Sequence, residues 1–64
     1  MIYKRISQLC AENGISISRL ERETGISNGT IARWEKSSPT AENLGKVADR
    51  FNVSVDFLMG RVPE

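Results

Sequence analysis

Gly25-Ile26-Ser27-Asn28-Gly29-Thr30-Ile31-Ala32-Arg33-Trp34 places a tight glycine turn directly ahead of an expected helix. One face of that segment, Ser27, Asn28, Thr30 and Arg33, carries short polar groups and an arginine, with little reason to bury against its own chain. The other face, Ile31 and Trp34 with Ile26 in the turn, is apolar and can anchor the segment to a core. Asparagine can bond adenine in two places, threonine can offer its methyl to thymine, and arginine can fork onto guanine, so the open face suits the edges of bases in a DNA major groove. A helix packed on one side and open on the other, held after a glycine turn by a preceding helix, describes a helix-turn-helix.

Outward from that stretch, the spacing predicts an all-α fold. Ile2, Ile6, Leu9 and Cys10 form one stripe of a first helix from Ile2 to about Asn13. Gly14 stands where a left-handed cap is wanted, and Ser16 reads as the N-cap of a second helix, Ile17 to Thr24, with Leu20 inward. Gly25 ends it, and Ser27 is the expected cap of a third helix from Asn28 to about Glu35. Pro39 pushes Ser38 away from helical angles, so Lys36-Ser37-Ser38-Pro39 is a linker. Thr40 caps a fourth helix, Ala41 to Phe51, with Leu44, Val47, Ala48 and Phe51 inward. Val53 is a buried connector, Ser54 caps again, and Val55 to Met59 form a short fifth helix before Gly60. One domain, residues 1–60, is expected to carry a loose tail, Arg61 to Glu64.

Sixty-four residues bury only about 60% of the surface of the unfolded chain, so one core must stabilise the fold. A single cysteine allows no internal disulfide, and Cys10 reads as a small core hydrophobe. No apolar run approaches the ~20 residues that span a bilayer, and Lys4 and Arg5 interrupt any signal-peptide layout, so a cytoplasmic protein is expected. There is no histidine, no base beside the cysteine and no phosphate-loop glycine pattern, so neither an enzyme nor a cofactor or metal is expected. Nine basic and eight acidic residues leave a net charge of +1, so DNA binding requires that the charge be arranged asymmetrically.

Gly14-Ile15-Ser16, Leu20, Gly25-Ile26-Ser27, Thr30-Ile31, Arg33-Trp34-Glu35 and the closing Phe51-Asn52-Val53-Ser54-Val55-Asp56-Phe57-Leu58-Met59-Gly60 occur in the order and spacing of a known family. The chain resembles the phage repressor and Cro-like helix-turn-helix family, also called the xenobiotic-response-element family of regulators. The resemblance covers Ile2 to Gly60. It implies a five-helix bundle with the third helix in the major groove, and base readout by Asn28, Gly29, Thr30 and Arg33. It implies phosphate contacts from the start of the second helix (Ser16, Ile17, Ser18), from Ser27, and from the loop Lys36, Ser37, Ser38 with Thr40.

The partner implied is operator duplex DNA, bound by a homodimer across half-sites ~34 Å apart. Val55, Phe57 and Met59 are the candidate dimer contacts, although Phe57 also suits the chain's own core. No small-molecule substrate is expected. The chain departs from the family at several positions. Ile17 stands where a phosphate-binding glutamine is usual, Glu21 where a small alanine lies at the helix crossing, and Thr24 where leucine is preferred. Glu35 lacks its usual arginine partner, because that position is Cys10. A Glu21 carboxylate would point out past the crossing or loosen it. A second function class also fits the residues: a protein-interaction module on the same fold, such as an antitoxin or regulatory adaptor.

Overall fold

The computed structural model describes residues 2–61. Among them lie four α-helices, α1 (Ile2–Glu12), α2 (Ile17–Thr24), α3 (Ala41–Phe51) and α4 (Val55–Leu58), with a 3₁₀ helix (Ala32–Glu35) between α2 and α3. No strand occurs among the described residues. The expected third α-helix is therefore replaced by turns over residues 28–31 followed by the 3₁₀ helix. Gly29 is the reason: its φ is +88°, a region outside the right-handed helical basin, and one such residue interrupts an α-helix. Ile31 and Trp34 still point inward, since a spacing of three suits a 3₁₀ turn as well as an α-helix. The expected tail falls outside the described residues from Val62 onward. Arg61 itself is held to α4, its N–H donating to the Asp56 carbonyl at 2.9 Å.

The other boundaries follow their local chemistry. Side-chain hydroxyls accept from the third residue of α2, α3 and α4: Ser16 from Arg19 N–H (3.0 Å), Thr40 from Asn43 N–H (3.2 Å) and Ser54 from Phe57 N–H (3.0 Å). Gly25 closes α2 at φ +78°, and the next amide, Ile26 N–H, reaches back to the Glu21 carbonyl at 2.9 Å. Asn52 closes α3 in the left-handed region at φ +57°, which short amide side chains tolerate.

Ile6, Cys10, Leu20, Ile26, Ile31, Trp34, Leu44, Val47, Ala48, Phe57 and Leu58 form one buried cluster. Ile2, Leu9, Ile15, Phe51 and Val53 pack against it half-buried, so Val53 is less enclosed than its connector role suggested. The 3₁₀ helix packs on α1, α2 on α3, and α4 on both α1 and α3. This arrangement fixes the back of the 28–35 segment and leaves its front open. Burial also raises the Cys10 thiol pKa, a shift that the nearby Arg50 charge partly opposes.

On the outer surface, Glu23 of α2 accepts from Arg19 Nε at 2.7 Å and from Arg50 Nε of α3 at 2.6 Å. Those two bonds, Arg19 first, hold its pKa below the ordinary 4.5. A carboxyl with a lowered folded pKa stabilises the native state above the ordinary value and loses that contribution as pH falls through the folded one. Glu23→Gln should therefore melt slightly below the wild type at neutral pH, and the two melting curves should converge in acid. A gap unchanged across that range would show that the carboxylate's charge is not what joins α2 to α3.

Candidate nucleic-acid interface

The open segment is built on a buried carboxylate. Glu21 is only 2% exposed, and its two oxygens accept from Gly29 N–H at 3.0 Å and Ile31 N–H at 2.8 Å. The two amides converge from alternate residues of a turn, an arrangement that forms an anion-binding concavity. Here the anion is supplied from within, by α2. Hydrogen bonds to a charged acceptor contribute about 1.5–3 kcal/mol each, and they offset the cost of removing the carboxylate from water. Glu21 thus points inward and holds the crossing together, neither projecting past it nor loosening it. Ser27, the expected cap, contributes its carbonyl, which accepts Thr30 N–H at 3.1 Å, while the side-chain hold on the segment comes from Glu21.

Above this base, Ser27, Asn28 and Arg33 are exposed, and Gly29 and Thr30 are half-exposed. Arg33 Nη2 donates to Thr30 Oγ1 at 3.2 Å, so the guanidinium lies back along the segment. A Cβ placed on Gly29 would stand 3.9 Å from Arg33 Nη1, ordinary contact, so backbone conformation and not space requires glycine there. The four base-readout candidates therefore lie together on one short stretch of surface. Asn28 also shares a groove with Ser18 and Arg22 of α2. Arg22 was not among the sequence candidates; it stands one helical turn after Ser18, but only the crossing of the two elements brings it beside Asn28.

The phosphate candidates divide. Ser16 and Ser18 are exposed at the start of α2, where Ile17 is half-buried against the core and offers only its backbone N–H outward. Lys36, Ser37, Ser38 and Thr40 are exposed after the 3₁₀ helix, and Arg33, Lys36 and Ser37 line one groove with Glu35. The Ser37 hydroxyl donates to the Arg33 carbonyl at 3.0 Å, so its proton is already committed within the chain. Ser16 and Thr40 use their oxygens as caps and keep their hydroxyl protons for another acceptor. Thr24, in the place preferred by leucine, donates its hydroxyl to the Leu20 carbonyl at 2.7 Å.

Ion pairing consumes part of the charge and leaves cations free at the open segment. Glu23, Glu42 and Asp56 each pair with a cation, and Glu21 is buried on backbone amides. Among the described residues, Lys4, Arg5, Arg22, Arg33 and Lys36 have no ion-pair partner; the last three lie at the open segment, where the exposed Glu35 is unpaired as well. At the opposite end, Phe57 is 8% exposed with the Arg5 guanidinium 4.8 Å from its ring centroid, so it serves the chain's own core. Val55 and Met59 keep part of their surface open.

The sequence profile of the helix-turn-helix family matches residues 6–58, most of the chain. The chain belongs to the helix-turn-helix family. The match is to the phage repressor and Cro-like kind, and the domain is of the DNA-binding regulatory type. No curated protein and no solved structure matches the chain. No helix among the described residues is long and apolar enough to cross a membrane. Within the helix-turn-helix pattern, α2 is the supporting helix, and the turn with its 3₁₀ helix takes the place of the recognition helix.

Proposed function

We propose that the chain is a sequence-specific transcriptional regulator, a repressor or Cro-like switch protein, acting on duplex DNA in the cytoplasm. The observation that carries this reading is the meeting of exposed Asn28 and Arg33 and half-exposed Thr30 with the unpaired cations Arg22, Arg33 and Lys36 at one short segment. Asn28, Thr30 and Arg33 read base edges, with Gly29 letting the backbone lie close to the groove floor. Phosphates are held by Lys36, Ser38 and Thr40 on one flank. On the other they are held by the Ser16 and Ser18 hydroxyls and the first amides of α2, including that of Ile17. Ser27 and Ser37 sit between these flanks and the base readers.

The fold measures 28 × 25 × 17 Å along its principal axes, each shorter than the ~34 Å between successive major-groove faces. One copy therefore reads one half-site, and useful affinity comes from two copies side by side. Val55 and Met59, next to the buried Phe57, are the apolar surface proposed to join them.

Selection of bound duplexes from a random pool tests the reading, and the recovered site then sets up a titration. A duplex with two half-sites should bind at least about tenfold more tightly than one with a single half-site at the same salt. Equal affinities would remove the dimer. A pool that yields no preferred sequence would favour the interaction-module reading instead.

A further inference from the structure

We infer that Glu21 is a positioning residue for base readout: it fills the backbone anion site of the recognition segment and thereby fixes the segment's non-helical shape. The inference rests on the DNA-binding reading above and deepens it by naming what sets its specificity. The physical case begins with geometry. Gly29 and Ile31 direct two N–H groups at one carboxylate, at 3.0 and 2.8 Å, from residues eight and ten positions further along the chain. The carboxylate has almost no contact with solvent, so those amides cannot exchange it freely for water. With both bonds in place, residue 29 is held at φ +88°, and Asn28, Thr30 and Arg33 follow from that one constraint. Arg33 is then set by Thr30 on the same short segment.

Ile31 is fully buried and the carboxylate is 2% exposed, so the two amides serve to hold the segment's shape and not to meet DNA. Affinity and selectivity are thereby separated: replacing the carboxylate removes one negative charge from a DNA-binding protein, while the base-reading side chains lose their fixed frame. A residue acting only through stability would weaken binding to every sequence alike. A positioning residue lowers the preference for the selected sequence alone.

The experiment uses the whole chain, the selected duplex, a random-sequence duplex and the variant Glu21→Gln, which keeps the shape but turns an amide N–H toward one of the two backbone donors. Preference for the selected duplex should fall by about tenfold or more, the scale of one lost bidentate base contact. Affinity for the random duplex should hold or rise. The Gly29 and Ile31 amides should lose their protection from hydrogen exchange.

Glu21→Asp provides a second route that keeps the charge but shortens the reach to the Gly29 and Ile31 amides, and it should give the same loss of preference. It decides the matter alone if Glu21→Gln does not fold. A folded variant of either kind that keeps the wild-type preference overturns the inference, as does an equal loss on both duplexes. A wild-type chain that selects no sequence overturns the DNA-binding reading itself, and is seen before any variant is made.

Discussion

Trp34→Ala should leave the protein partly unfolded at room temperature, with the loss visible as a low, broad thermal transition by circular dichroism. Trp34 is 6% exposed and is the main buried side chain of the 3₁₀ helix, which packs on α1. Truncating a buried aromatic costs about 3–5 kcal/mol, against the 5–15 kcal/mol that holds a typical domain together. A four-residue 3₁₀ helix has no stability of its own, so its position depends on this contact. DNA binding should fail with the fold. An Ala variant that melts like the wild type would place the ring outside the core, and the orientation of the recognition segment would have to be redrawn.

Arg33→Ala should do the opposite, weakening recognition while sparing the fold. The side chain is exposed, and its one hydrogen bond to another side chain is the 3.2 Å contact with Thr30. A forked arginine–guanine contact is worth about 1–3 kcal/mol, so affinity for the selected duplex should fall by roughly tenfold to a hundredfold. Discrimination should relax at one base pair, and the melting curve should not move. Matching losses on selected and random duplexes would reassign Arg33 to a phosphate. No loss on either would take it out of the interface.

Much of the fold was legible because its determinants are local. Ile6 and Cys10 share a helical stripe, Ser16, Thr40 and Ser54 each stand where a helix needs a hydroxyl, and Gly25 stops α2; each is read within four or five residues. The recognition segment was misread as an α-helix because Ile31 and Trp34 are three apart, a spacing that cannot distinguish 3.6 residues per turn from 3.0. Gly29 carried the contrary signal: a glycine there costs a helix about 1 kcal/mol against alanine, and after Asn28 it favours a turn. Glu21 was hidden for a different reason. Its partners are backbone amides on a separate element, and no pattern of residue types marks a bond to main chain. Arg22 was missed because the grouping of Ser18, Arg22 and Asn28 is made by the crossing of two elements.

Cys10 gives the molecule a property unrelated to DNA. It is the chain's only thiol, it is 2% exposed at the centre of the core, and burial disfavours its reactive thiolate form. A water-soluble alkylating reagent can reach it only while the packing around α1 is open. When reclosing outpaces the reagent, the rate of labelling measures the fraction of time for which the packing is open. The protein therefore contains an internal chemical gauge of its own breathing, set in the helix that supports Trp34 and readable with a single added reagent and no engineered label.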